Sequence, residues 1–209
     1  MPNLLHIEVS PRKERSSSIA VAKEFIRAYT EAHPKDQVET LDLWSFQMPE
    51  FDGETINAKY RILHGQPFGA TEAKAWDKVV NTIDRFKSAD KYLFSVPMWN
   101  FGIPYKLKHF IDVIVQPGQT FTFSPEKGYQ GLLTGNRAAV ICARGGEYAS
   151  SDLVRALDFQ KPYLRMILGF IGITDVQEIV VEPTLAAQKD VDTLLEKTKK
   201  QAAEIARSF

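Results

Sequence analysis

Strand-like and helix-like stretches alternate along this chain, and the alternation limits its fold more than any other feature. Leu4 to Val9 is a short apolar-rich run that stops at Ser10-Pro11. Ser18 to Ala32 then carries Ile19, Ala22, Phe25, Ile26 and Tyr29 at helical spacing. Val38 to Leu43, Tyr92 to Val96, Ala138 to Ala143 and Val176 to Val181 also read as strands. Helical spacing recurs in Ala73 to Phe86, in Leu107, Phe110, Ile111 and Ile114 behind Pro104, from about Asp152 to Leu168, and in Val191, Leu194, Leu195, Ala202 and Ile205. Five strands alternating with five helices predict an α/β fold, a doubly wound five-stranded parallel sheet with helices on both faces.

Ligands of such a sheet gather beyond the carboxyl ends of its strands, so the loops after strands one, three and four are the places to look. With 209 residues and 44% hydrophobic content, the chain suits one domain spanning residues 1–209. Two connections, Phe46 to Ala70 and Gln116 to Arg137, are longer than usual and carry the aromatics Phe51, Tyr60, Phe68, Phe121, Phe123 and Tyr129, which suit a lid or a partner surface. His6 and Glu8 resist the pattern, because they alternate with Leu5, Ile7 and Val9 where a central parallel strand is apolar on both faces.

The first strand ends in Ser10-Pro11-Arg12-Lys13-Glu14-Arg15-Ser16-Ser17-Ser18, hydroxyls and cations just ahead of a helix N-terminus. Free N–H groups and the helix dipole favour an anion there; the same serines also serve as an ordinary N-cap. No Glu or Gln stands three residues after any of these serines, so no capping box supplies a competing acid. The third strand ends in Pro97-Met98-Trp99-Asn100-Phe101-Gly102-Ile103-Pro104, a stiff, flat-sided loop suited to an aromatic ring system or to the rim of the core. The fourth ends in Ala143-Arg144-Gly145-Gly146, where paired glycines either make a tight turn or let backbone N–H groups approach a ligand. All three loops fall on one edge of the sheet.

Taken in order with Leu168-Gly169-Phe170-Ile171-Gly172-Ile173, these segments resemble the FMN-dependent NADH-azoreductase family of flavodoxin-like quinone and azo reductases. The likeness runs from the first strand to the fifth, and the aromatic-Asn-Phe loop and the Arg-Gly-Gly turn are its most specific parts. It implies that Ser10, Ser16, Ser17 and Ser18 hold the FMN phosphate, that Met98, Trp99, Asn100 and Phe101 lie along the flavin, and that Ala143, Arg144, Gly145 and Gly146 cover its pyrimidine side. Family members most often carry a serine where this chain has Ala143, so one side-chain contact is in question. The resemblance further implies a homodimer with its active site at the subunit boundary, NAD(P)H as hydride donor, a ping-pong cycle, and a small quinone or azo compound as acceptor. FMN would supply the chemistry, with Asn100 positioning the flavin edge and no side chain as catalytic acid or base. Phe121, Phe123, Tyr129 and Tyr148 are candidates for the acceptor pocket, and equally for core or dimer contacts.

A flavodoxin-like electron carrier between protein partners is the rival reading. Such carriers tend to be acidic, whereas Lys plus Arg and Asp plus Glu both count 26 here. That balance also points away from nucleic acid. No apolar run approaches the roughly 18 residues that span a bilayer, and the start of the chain lacks a secretory pattern, so no membrane partner is expected. The single cysteine, Cys142, has no intrachain disulfide partner, and a reducing cytoplasm is the simplest setting. Its neighbours Val140 and Ile141 make it a small buried strand residue rather than a nucleophile. The chain lacks a G-x-x-x-x-G-K-[ST] loop and a G-x-G-x-x-G after the first strand. Ser10 and Pro97 stand where a phosphoacceptor receiver domain needs acids, and His6, His33, His64 and His109 show no metal-ligand spacing, His109 reading as a rim residue.

Overall fold

The computed structural model describes residues 2–67 and 69–209; Met1, and Phe68 among the aromatics of the first long connection, lie outside the described residues. In chain order the elements are β1 (Asn3–Glu8), α1 (Ser17–Ala32), β2 (Gln37–Asp42), α2 (Gly53–Leu63), α3 (Ala70–Lys87), β3 (Lys91–Pro97), α4 (Tyr105–Ile114), β4 (Phe121–Ser124), β5 (Gly128–Gly131), β6 (Arg137–Ala143), α5 (Asp152–Arg155), α6 (Lys161–Phe170), β7 (Asp175–Val181) and α7 (Gln188–Arg207). A five-stranded sheet runs in the order β2-β1-β3-β6-β7 with all neighbours parallel. The five predicted strands are therefore the five strands of this sheet.

Alternate residues of the central strands go to opposite faces. Leu5 and Ile7 of β1 with Val9 just after it, Tyr92, Phe94 and Val96 of β3, and Ala138, Val140 and Cys142 of β6 pack against α3, α4 and α6. Leu4, Leu93, Ala139 and Ile141 pack against α1 and α7 through Phe25, Ala28, Tyr29, Ala202 and Ala206. Each fully buried Leu or Ile contributes roughly 1.5–3 kcal/mol, so β1 and β3 are fixed on both faces. The chain goes from β1 outward to β2, then crosses back to β3 and onward to β6 and β7. The direction of winding reverses between β1 and β3, and α1 and α4, which follow them, lie on opposite faces. The two loops diverge there and leave a crevice at the carboxyl ends.

The structure corrects the reading of five strands and five helices. The first long connection contains α2, and the second contains the antiparallel hairpin β4-β5. The stretch read as one helix from Asp152 is two, α5 and α6, because Pro162 in the first turn of α6 cannot donate to a preceding carbonyl. The hairpin docks where Gly131 meets Gly172: a Cβ on Gly131 would lie 2.1 Å from the Gly172 nitrogen, and Gly172 itself has φ +105°. Only paired glycines allow that approach, and Leu133 N–H then donates to the Ile171 carbonyl at 2.9 Å. This is what the Gly169-to-Ile173 segment does in the fold.

His6 and Glu8 also find their explanation. The buried His6 ring has Nε2 at 2.9 Å from Ser95 Oγ and Nδ1 at 3.4 Å from Thr40 Oγ1, so a polar row crosses β2, β1 and β3 beneath the crevice. Glu8 accepts from Lys13 at the strand end. Burial holds the His6 imidazole down to about 4 from its usual 6.5, so it is neutral in the folded protein. The unfolded chain binds that proton more readily. The stability His6 contributes is therefore complete above the unfolded value near 6.5 and is lost as pH falls from there toward about 4. Urea unfolding should show a loss of roughly 3 kcal/mol across this window, and His6→Gln should flatten that part of the profile; an unchanged slope in the variant would refute the assignment.

Candidate functional site

The loop after β1 is built by a clamp. Lys13 sits at φ +48° and its ammonium reaches Glu8 at 2.7 Å and Asp42 at 2.6 Å, joining the carboxyl ends of β1 and β2. Burial opposes the charge, but the hydrogen bonds Lys13 donates to Asp42 and Glu8 outweigh it and raise the Lys13 pKa. A short 3-10 turn over Lys13–Arg15 follows, closed by Ser16 N–H donating to the Lys13 carbonyl at 2.9 Å. Ser16 is the N-cap of α1, yet its hydroxyl accepts from Ile19 N–H only at a stretched 3.5 Å and lies 3.1 Å from Ser18 Oγ. Among the described residues the N–H groups of Ser17 and Ser18 donate to no protein acceptor, and the first turn of α1 holds no acid. Cap and anion cradle thus coexist, with donors to spare for an anion.

After β3, Met98 N–H donates to the Ala143 carbonyl at 2.8 Å, and Trp99 and Gly102 exchange two backbone hydrogen bonds of 3.0 Å. Asn100 and Phe101 between them have φ of +46° and +70°, the pair of positive values that defines a mirror-image turn. Asn tolerates that conformation, but Phe does so at a cost of about 1–2 kcal/mol. Phe159 N–H holds the Phe101 carbonyl at 3.0 Å, and Pro104 opens α4. Trp99 and Phe101 remain 37% and 46% exposed. Trp99 adjoins Trp44 and Tyr105, with ring centroids 5.7 to 6.3 Å apart, and Trp44 Nε1 donates to the Val9 carbonyl. The result is a half-open aromatic wall whose rings are tilted 46 to 84° to one another.

After β6, Arg144 behaves differently from the expectation. Its guanidinium is buried, donates to Asp158 Oδ2 at 2.8 Å and lies 3.6 Å from Glu182, while Asp158 Oδ1 accepts from Gln160 and Lys161 N–H at the start of α6. The carbonyl of Arg144 accepts from both N–H and Oγ1 of Thr184. Its side chain is a strut between the β6 loop, the start of α6 and the end of β7, turned away from the crevice. Gly145 does face the crevice, under Leu185, whose Cδ1 would lie 2.7 Å from any added Cβ. Among the described residues the N–H groups of Gly145 and Gly146 donate to no protein acceptor.

These segments enclose a cleft of about 200 Å³ to which Ser10, Ser16, Ser17, Met98, Trp99, Ala143 and Gly145 all contribute. Ser18 is buried beneath it; Asn100 and Phe101 stand on the neighbouring turn, and Gly146 lies next to Tyr148. Arg12 and Pro97, from the two loops already singled out, and Thr184 and Leu185, which were not anticipated, complete the lining. Thr184 and Leu185 follow β7, a fourth strand end on the same edge, so the rule that chose the other loops would also have found them. Ala143 presents a methyl group, and its carbonyl is already taken by Met98, so neither offers a polar contact there. The cleft suits a ring carrying a phosphate: free donors and hydroxyls at α1, aromatic walls along the middle, and free backbone donors at Gly145 and Gly146 toward a polar ring edge. FMN has that shape and polarity.

Other sequence candidates lie elsewhere. Phe121, Phe123 and Tyr129 cluster with Phe170 on the hairpin, at the end of the sheet where β6 and β7 begin, opposite the cleft. Tyr148 packs on the Arg144 guanidinium at 5.4 Å. Cys142 is buried, and burial pushes its thiol up to about 12. His109 is half-buried, with Nε2 2.9 Å from the Pro49 carbonyl, and no group of three or more potential metal ligands occurs among the described residues.

Comparison with known proteins agrees with this geometry. A family described as having a flavodoxin-like fold matches residues 2–206. The FMN-dependent NADH:quinone oxidoreductase of Desulfotalea psychrophila is 51% identical over 209 residues, covering 100% of this chain and 98% of that protein. The crystal structure of azoreductase from Bacillus anthracis str. Sterne superposes with a TM-score of 0.91 at 30% identity, covering 100% of both chains. That of an FMN-dependent NADH-azoreductase from Bacillus anthracis str. Ames Ancestor in complex with FMN gives 0.87 at 29% identity over 99% of this chain and 100% of that one.

The strut makes a sharp prediction. Arg144→Ala leaves Asp158 buried without its cation and should cost about 3–5 kcal/mol in urea unfolding. Arg155→Ala, which breaks the exposed pair with Asp152, should cost less than about 0.5 kcal/mol. Equal effects would show that Arg144 is not the strut described.

Proposed function

This chain belongs to the family of flavodoxin-like fold that includes the FMN-dependent NADH:quinone oxidoreductases, and from that premise we propose that it reduces quinones and aromatic azo compounds with NADH in two half-reactions at one FMN site. The observation that carries the reading is the convergence in one cleft of free donors at α1, the aromatic wall after β3 and the free backbone donor at Gly145, with that of Gly146 next to it in the chain. FMN supplies the redox chemistry when bound, accepting hydride from the donor and passing electrons to the acceptor. Ser10, Ser16, Ser17 and Ser18 hold the phosphate together with the Ser17 and Ser18 N–H groups. Met98, Trp99, Asn100 and Phe101 lie along the ring, and Asn100 positions its edge. Ala143 to Gly146 cover the pyrimidine side, Gly145 and Gly146 through backbone donors that stabilise negative charge there, and Arg144 by holding the loop in place. No side chain serves as acid or base.

The reading extends to a homodimer with the active site at the subunit boundary. Leu153, Leu157, Phe159 and Met166 on and around α5 and α6 are exposed, and Phe159 is tied to the cleft turn through Phe101. Such apolar exposure next to a ligand cleft suits a second copy. The hairpin aromatics lie a strand length from their own cleft, so within a two-fold pair they suit the partner's acceptor pocket. One domain over residues 1–209 carries the whole activity, and the single unpaired Cys142 favours a reducing cytoplasm. No helix among the described residues is long and apolar enough to cross a membrane.

Two measurements follow. Protein reconstituted with FMN should be yellow, bleach with NADH under anaerobic conditions, and oxidise NADH with menadione without a protein partner. Double-reciprocal plots at several menadione concentrations should be parallel; intersecting lines would overturn the two half-reactions, and a need for a protein partner would restore the electron-carrier alternative. In sedimentation the wild type should run at twice the 23.6 kDa of one chain. Phe159→Glu should weaken association by about 2 kcal/mol or more and lower menadione turnover while FMN binding persists; a monomeric wild type with full turnover would remove the dimer from the reading.

A further inference from the structure

Three consecutive residues ahead of α6 grip the two site loops that follow β3 and β6. Asp158 Oδ2 accepts from the Arg144 guanidinium at 2.8 Å, Phe159 N–H donates to the Phe101 carbonyl at 3.0 Å, and Gln160 Nε2 donates to the Val96 carbonyl at 3.0 Å. The loop after β3 is thus held at its start and in its turn, and the loop after β6 through its buried strut. The gripping segment is itself fixed. Asp158 Oδ1 accepts from Gln160 and Lys161 N–H at 3.1 Å, and Leu164 and Leu168 sink α6 into the core.

Gln160 has little part in making the helix. It is the N-cap of α6, yet its side chain makes no capping hydrogen bond. The residue is fully buried, and its Oε1 has no partner among the described residues. A buried amide oxygen left unpaired destabilises the fold, so an apolar side chain of similar size would suit the core better. What glutamine adds is its hold on Val96, the residue just before the Pro97-Met98 lining of the cleft.

We propose that Asp158, Phe159 and Gln160 are positioning residues that hold the loops after β3 and β6 in register, and so set the affinity for FMN and, through the Gly145 and Gly146 donors, the potential of the bound flavin. The inference rests on reading the cleft as the FMN site.

The test compares Gln160→Met with the wild type and with Ile83→Val, a trim of the core on α3. Methionine removes the bond to Val96 and the unpaired oxygen together, so urea stability should change little. Hydrogen exchange in the peptide from Met98 to Gly102 should be about fivefold faster, the effect of one hydrogen bond, and FMN affinity read by flavin fluorescence about fivefold weaker. Asp158→Asn should make the potential of bound FMN more negative, because looser donors stabilise the negatively charged reduced ring less. A merely structural role would lower stability and leave loop exchange and affinity of the folded protein alone, as Ile83→Val should. Unchanged exchange or unchanged affinity in Gln160→Met, or changes no larger than those in Ile83→Val, overturn the proposal, and an unchanged potential in a folded Asp158→Asn overturns the part assigned to the donors. If Asp158→Asn fails to fold, Gln160→Met decides through affinity and potential together. A wild type that binds no FMN would instead defeat the reading of the cleft, and the exchange measurement, which needs no FMN, would still judge the positioning.

Discussion

The crevice exists because β1 and β3 are packed on both faces at the point where the winding of the sheet reverses. Leu5, Ile7 and Val9 are held from one side and Leu4 from the other, so β1 cannot shift register without moving apolar side chains into the wrong layer. The helices that follow β1 and β3 depart to opposite faces, and their loops open outward from a fixed base. The Lys13 clamp then ties β1 to β2 and sets the turn that delivers Ser16 to the start of α1. The position of the anion cradle is in this sense a consequence of core packing.

The cleft is made mostly of backbone. Its donors at Ser17, Ser18, Gly145 and Gly146 are N–H groups, and its shape after β3 depends on two residues at positive φ. Side chains such as Arg144 are thereby released for structural work: a buried guanidinium shared between Asp158 and Glu182 holds the Gly-Gly loop against β7. The same logic explains why Ala143 is compatible with the fold. A hydroxyl there would add a contact, but the loop that covers the proposed ring edge is set by Met98, Thr184 and Leu185 bonding to its carbonyls.

The sheet was legible in the sequence because its strands are short apolar runs between helical stretches, and the first three site loops because each follows such a run. The hairpin was hidden because its strands are only four residues each, and Gly128 and Gly131 at the two ends of β5 add no side-chain pattern. Helix α2 was hidden because Ile56, Tyr60, Ile62 and Leu63 are all partly exposed, which blurs the periodicity a buried face would impose. Pro162 was a readable signal that α5 and α6 are separate. Arg144 shows the limit of loop-based reasoning: its place in the chain puts it at the site, but the direction of its side chain depends on Asp158, which is 14 residues away in sequence.

Phe101 links strain to the proposed role. An aromatic residue at φ +70° has little reason to persist in a turn that glycine or asparagine would form more cheaply. Its carbonyl is fixed by Phe159, and its ring stays half-exposed beside the cleft rather than joining the core. The conformational cost therefore brings no compensating burial within one chain. A ring bound in the cleft, or a second chain on the apolar surface around Phe159, would offset it by covering that exposed face. The strained turn lies where the proposed cofactor site and the proposed subunit boundary meet.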